Sequence, residues 1–222
     1  MTDIYIEDLI APNFDGLLTD VLDHKHSDYI LKGGRGALKS SFVGFAIPLI
    51  MIQPGNENMH AAVFRKTANT LRDSVYSQIQ FGIDKLGLTD DFICRVSPMK
   101  IVRKSTGQTI IFRGLDKPTK LKSLKAPFGY FAISWFEEAD TFSGIKEIRN
   151  VQQSVRRGGK TFWNFMSFNP PETRANFMNQ EVLTPLPNRV VHSSDYRTVP
   201  PEWLGQQFID DAEQLKATNP KA

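Results

Sequence analysis

The chain has 222 residues, room for one large domain or two small ones, and its 41% hydrophobic and 23% charged content is that of a globular protein. A net charge of +3 excludes a polycation, so a nucleic-acid partner would have to be met by a local basic patch. The single cysteine, Cys94, excludes an internal disulfide and a cysteine-rich zinc site and fits a reducing interior such as cytoplasm; the four histidines, at 24, 26, 60 and 192, lack metal-ligand spacing.

The opening "MTDIYIEDLIAPNF" is acidic and does not read as a secretory leader. Residues 1–28 are mixed, with a polar patch at "DHKHSD". "YILK" (29–32) predicts a short buried strand, followed at once by a glycine-rich loop. Ser40 to Ile52 predicts an apolar helix, kinked near Pro48 and closed by "QPGNEN". Its apolar run "FVGFAIPLIMI" is 11 residues long, short of the roughly 20 that span a bilayer, so it is expected in a core. "AAVFRK" (61–66) predicts a second strand. Leu71, Val75, Ile79, Ile83 and Leu86 recur at helical spacing, and Gly87 is the expected stop. "KIVRKSTGQTIIFRGL" predicts a hairpin turning at "STGQ", and "KPTKLKSLKAPFG" a basic, mobile loop. "YFAISWFEEAD" is an apolar strand ending in acids, "KEIRNVQQSVRRGGK" a polar helix and "TFWNFMSFNPP" a buried strand; "RVVHSSDY" is a further strand candidate. Strands alternate with helices and several are apolar on both faces, which predicts an α/β fold: a mostly parallel central sheet flanked by helices on both faces.

Three stretches carry chemistry. "LKGGRGALKSSF" (31–42) is close to the phosphate-binding pattern G-x-x-x-x-G-K-[ST], with Leu38 in place of the last glycine. Glycines let the backbone curl so that its N–H groups converge, and a helix start adds partial positive charge. Lys39 is expected to reach the β- and γ-phosphates, and Ser40 to meet Mg²⁺. A leucine at 38 is acceptable only in an allowed backbone region. Second, Glu137 and Glu138 close an apolar strand, and ligands of open α/β sheets gather at strand carboxyl ends. One acid is expected to hold the metal and the other to orient a water. Third, Ser167 and Asn169 end a strand in "FMSFNPPE", where they can bond the γ-phosphate or its water. Arg35, inside the loop, can stabilise charge in the transition state. The plainer readings are a glycine-rich turn, acids opening a solvated helix, an Asn-Pro turn and a solvated loop arginine.

Together, "LKGGRGALKSSF", "AAVFRKTANTLRDSVYSQI", "FRGLDKPTKLKS", "ISWFEEAD" and "SFNPP" resemble the ATPase domain of the large terminase subunit of tailed bacteriophages, a DNA-packaging motor. The resemblance covers roughly residues 28–172 and implies a P-loop NTPase fold of the ASCE type. It implies that Gly33, Gly34, Arg35, Gly36, Ala37, Leu38, Lys39, Ser40 and Ser41 bind ATP. Ser40 and Glu137 would hold Mg²⁺, Glu138, Lys39 and Arg35 would be catalytic, and Ser167 to Asn169 would couple hydrolysis to movement. Implied partners are double-stranded DNA, a portal protein and a small terminase subunit, in a ring usually of five subunits in the host cytoplasm, away from membranes. An arginine from a neighbouring subunit would complete each site; Arg113 or a basic residue of 117–125 are candidates. DNA contacts are expected from Lys117, Lys120, Lys122 and Lys125, or from Arg156, Arg157 and Lys160.

The sequence departs from the family pattern at Leu38, commonly a small residue, and at Glu137, commonly aspartate. Full-length members continue into an RNase H-like nuclease domain; fewer than about 60 residues follow Glu172, too few for one. The expectation is therefore a single ATPase domain over residues 1–222, with its core at about 28–200 and no nuclease activity. The competing readings are another P-loop nucleic-acid motor, such as a helicase, and a nucleotide-binding assembly module without turnover.

Overall fold

In the computed structural model, residues 4–116 and 124–218 are described. Eight strands form one sheet: β1 (Asp28–Lys32), β2 (Met59–Arg65), β3 (Phe92–Val96), β4 (Met99–Arg103), β5 (Thr109–Gly114), β6 (Tyr130–Glu137), β7 (Trp163–Phe168) and β8 (Arg189–Ser193). Their order is β3-β4-β5-β2-β6-β7-β1-β8. From β5 to β8 every neighbouring pair is parallel, while β4 runs antiparallel to both β5 and β3. The expected mostly parallel sheet is present, extended at one edge by the expected hairpin and by β3. The physical reason β3 escapes the sequence pattern is that it lies at the edge with Ile93 and Val96 exposed, and only Phe92 of the strand is buried.

The helices are α1 (Asp15–Leu22), α2 (Lys39–Ile52), α3 (Ser77–Lys85), α4 (Ile145–Val155), α5 (Phe177–Glu181), α6 (Pro201–Leu204) and α7 (Gln206–Thr218). Alternation along the central strands feeds two cores. Tyr29, Leu31, Val63, Trp135 and Phe165 pack with α1, α2 and α3, whereas Ile30, Phe64, Phe136, Met166 and Phe168 pack with α4. Strands β2 and β7 are buried along their whole length, which is why they read as unbroken apolar runs.

Helix α2 lies within the first core, buried from Phe42 to Met51, and continues through Pro48 as one element. It crosses α3 at backbone contact: a Cβ on Gly82 would stand 2.4 Å from the Gly44 carbonyl oxygen, so only glycine fits there. The predicted helix over 71–86 begins with a π-helical turn, Arg72–Tyr76, before α3; Leu71, Val75, Ile79 and Ile83 are buried as expected, and Gly87 turns the chain at φ +67°. Most of the predicted basic loop, residues 117–123, lies outside the described residues. Among the described residues no helix is long and apolar enough to cross a membrane.

Candidate active site

The site lies at the carboxyl ends of β1, β6 and β7. β1 stops at Lys32, residues 33–38 form the loop, and α2 starts at Lys39. The loop is anchored from behind. Gly33 N–H donates to the Phe168 carbonyl at 3.3 Å, and a Cβ at 33 would lie 2.0 Å from the Ser194 carbonyl oxygen. The buried Ser194 hydroxyl donates to the Ala37 carbonyl at 3.1 Å. Gly36 turns at φ +74° beneath Phe208 of α7.

Leu38 adopts φ 52°, ψ 20°, in the left-handed region. This is where the loop pattern places glycine, and a leucine there is strained by roughly 1–2 kcal/mol. The side chain offsets that cost by packing, half-buried, beside Phe14, Phe42 and Phe45. Nothing caps the start of α2 with a side chain, so its first N–H groups remain free for an anion.

Lys39 is buried, and its Nζ donates to the carbonyls of Gly33 (2.8 Å) and Gly34 (2.9 Å) and to Asn169 Oδ1 (3.0 Å). Burial lowers its pKa to about 8, against the pull of Glu137 and Asp140. Ser40 Oγ donates to Glu137 Oε1 at 3.2 Å. Burial pushes the Glu137 carboxyl above its usual range; Arg65 is the main opposing influence, Glu138 adds to the rise, and Ser40 and Lys39 oppose it. Glu138 takes a left-handed backbone, φ 52°, ψ 51°, and its carbonyl accepts from Thr141 N–H (2.9 Å) and Oγ1 (2.6 Å). That sharp turn ends β6 and separates the two carboxylates.

Arg65, at the carboxyl end of β2, joins them. Its Nε lies 2.8 Å from Glu137 Oε2 as an ion pair without hydrogen-bond alignment, and its Nη2 contacts the Glu138 carboxylate. Nη1 donates to the Thr70 carbonyl (3.2 Å) and to Ser74 Oγ (2.9 Å) in the π-helical turn. The sequence reading missed this residue. The only signal was position, a cation closing the apolar strand next to β6.

A cavity of about 260 Å³ is walled by Gly34 to Ser41, Glu137, Glu138, Ser167, Phe168 and Asn169. It gathers the predicted set except Gly33, which sits behind the wall under Ser194. Ser167 and Asn169 part company in detail. Asn169 holds Lys39, whereas the buried Ser167 hydroxyl accepts from Trp135 Nε1 at 2.9 Å. Arg35 is exposed on the cavity wall. Arg113 lies in β5, bonded to the Phe112 carbonyl and away from this cavity. Lys125, Arg157 and Lys160 are exposed, Arg156 is half-buried, and Lys117, Lys120 and Lys122 fall outside the described residues.

The donors fit a magnesium nucleotide. Mg²⁺ takes hard oxygens, typically one or two carboxylates completed by phosphates and water, and Ser40 Oγ beside Glu137 Oε1 is such a pair. Glu137 Oε2 faces Arg65 Nε, so Oε1 is the carboxylate oxygen that stands beside Ser40.

A family model described as phage terminase large subunit matches residues 25–222. This chain belongs to that family. The large terminase subunit of Bacillus phage SPP1 is 32% identical over 225 residues, covering 99% of this chain and 52% of the relative; the chain thus spans about half that protein's length. Among solved structures, the large terminase of a thermophilic bacteriophage in complex with ADP superposes with a TM-score of 0.64 at 13% identity, over 89% of this chain and 49% of that one. A variant of the large terminase ATPase domain from a Thermus phage gives 0.64 at 10% identity, over 91% and 88%. The bacteriophage Phi-29 genome packaging motor assembly gives 0.58 at 14%, over 88% and 63%. These likenesses identify the sheet as the P-loop NTPase fold of terminase ATPase domains.

Proposed function

We propose that residues 1–222 act as one Mg²⁺-dependent ATPase domain, the motor of a terminase large subunit that drives double-stranded DNA into a procapsid. The observation that carries this reading is the convergence of Lys39, Ser40, Glu137, Glu138 and Asn169 on one cavity beside a free helix start.

The loop N–H groups and the α2 start take the phosphates, and Lys39 exchanges its carbonyl partners for phosphate oxygens. Magnesium, when bound by Ser40 and Glu137, supplies charge neutralisation between the phosphates. Glu138 orients the attacking water and accepts its proton. Arg35 faces the developing charge, and Asn169 senses phosphate loss through its bond to Lys39. Arg65 pairs with both carboxylates and holds each in its place. An arginine supplied by a neighbouring subunit in a ring, commonly five on a portal, completes the site and is worth about 10³–10⁵ in rate. The small terminase subunit and the host cytoplasm complete the setting. The test is steady-state ATP hydrolysis by wild type and Lys39→Ala with and without duplex DNA. Magnesium-dependent turnover lost in the variant supports the reading, and equal turnover in both contradicts it.

A further inference from the structure

A second cleft is remote from the glycine-rich loop. About 730 Å³ in volume, it opens between α4, the start of β1 and the turn before β8. Asp28 and Arg189 are the first residues of their strands, so the cleft lies at the amino ends of the sheet. The five residues of β1 separate it from the nucleotide loop by roughly 16 Å.

Its charges are unevenly used. Asp28 is occupied, accepting from Arg189 Nε at 2.5 Å and Asn164 Nδ2 at 2.6 Å. Arg189 is buried and also holds Glu181. Among the described residues Arg149 spends only Nη2, on Glu181, and it is 51% exposed. The Arg156 side chain has no hydrogen bond or ion pair among the described residues. Its Nε is buried and unpartnered, and its guanidinium lies 6.0 Å from the Phe162 ring. Burial lowers its pKa, and the Asp28 carboxylate opposes that shift. Gln152 and Asn188 add amide donors to the wall.

The positive charge does not stop at the cleft. Lys146, Arg149, Arg157 and Lys160 are all exposed and follow α4 and its exit. A line of cations suits a polyanion better than one small anion. Arg149 and Arg156 are seven residues apart, about 10.5 Å along a helix. On one DNA strand that spans about three phosphates.

We propose that this cleft grips the phosphate backbone of double-stranded DNA, with Arg149 and Arg156 as its phosphate contacts. The proposal rests on the DNA-motor reading above and names the surface that such a motor holds. Contacts of this kind are indifferent to sequence, as translocation along a genome requires.

The test is duplex binding by fluorescence anisotropy, without nucleotide, on two unrelated 30-bp sequences from 50 to 300 mM salt. Each phosphate contact releases about 0.9 counterions, which at 0.1 M salt corresponds to about eightfold in affinity. Arg156→Gln and Arg149→Gln are each expected to lose about that factor on both sequences, with the salt slope falling by about 0.9. Arg156→Lys, which keeps the charge, is expected to keep the slope, separating a contact from a folding defect. Lys39→Ala is expected to bind duplex DNA within twofold of wild type, so failure of the nucleotide reading would leave this result standing. Unchanged affinity and slope in both glutamine variants would overturn the proposal. So would wild type binding inorganic phosphate, or an acidic peptide, through Arg156 while failing to bind duplex DNA.

Discussion

Replacing Arg65 with glutamine tests the bridge between the two acids. The side chain is 7% exposed and makes two charge contacts and two hydrogen bonds. Removing one member of a buried pair costs about 3–5 kcal/mol. Glu137 is 14% exposed and bears most of this; Glu138 is 53% exposed, so solvent screens its share. A loss of about 2–4 kcal/mol follows, which for a domain of this size lowers Tm by roughly 5–15 °C. The catalytic consequence is separate. A positioned base is worth about 10²–10⁴ in rate, and without Arg65 the Glu138 carboxylate loses its tether. We expect kcat to fall about 100-fold, or ~2.7 kcal/mol, with the KM for ATP within about threefold, because Arg65 is not on the cavity wall. Steady-state kinetics at saturating Mg²⁺, well below the variant's Tm, read both numbers. A lowered Tm with kcat within twofold of wild type would refute the reasoning. A raised KM at constant kcat would mean that Arg65 meets the nucleotide instead.

Leu38→Val, which places a β-branched residue in the left-handed region, should destabilise by at least about 1 kcal/mol and weaken ADP binding. Leu38→Gly should bind ADP within threefold of wild type; equal stability of the valine variant would contradict the strain argument. Gly33→Ala should cost at least about 2 kcal/mol because its Cβ meets the Ser194 carbonyl, whereas Gly34→Ala, with nothing within 4 Å, should fall within about 0.5 kcal/mol of wild type by urea titration. Buried His60 accepts the Thr109 N–H at Nδ1 (2.9 Å), a role open only to the neutral ring, and burial is the main cause lowering its pKa. The unfolded chain therefore binds the proton first, so stability should fall as pH drops below about 6.5. His60→Gln should flatten that slope in thermal melts from pH 5 to 7.5, and an unaltered slope would count against it.

What was legible in the sequence followed burial. Strands covered on both faces, such as β2, β6 and β7, announce themselves as apolar runs, and the acids ending β6 mark the carboxyl edge where ligands collect. The loop between β1 and α2 was legible because its glycine cluster stands between an apolar strand and an apolar helix. Elements with little burial left no imprint: α7 has no buried residue, and β3 is half exposed. Contacts between distant strands left none either. Arg65 reads as the end of a strand until the sheet order sets β2 beside β6. Ser167 offers a hydroxyl in either case, and only the packing of Trp135 decides where its lone pair is used. The π-helical turn was hidden because Leu71, just before it, and Val75, within it, are buried as they would be in an α-helix.

The central claim is that the cavity between the α2 start and the β6 acids hydrolyses ATP. Its most direct test is phosphate release from ATP with Mg²⁺ and duplex DNA, measured for wild type, Lys39→Ala and Glu138→Gln across protein concentrations. The account predicts turnover in wild type and loss in both variants, with nucleotide binding kept by Glu138→Gln and lost by Lys39→Ala. A rate per subunit that rises with concentration would fit an arginine supplied by a neighbour. Turnover that survives both substitutions, or a wild type that binds no nucleotide, would contradict it.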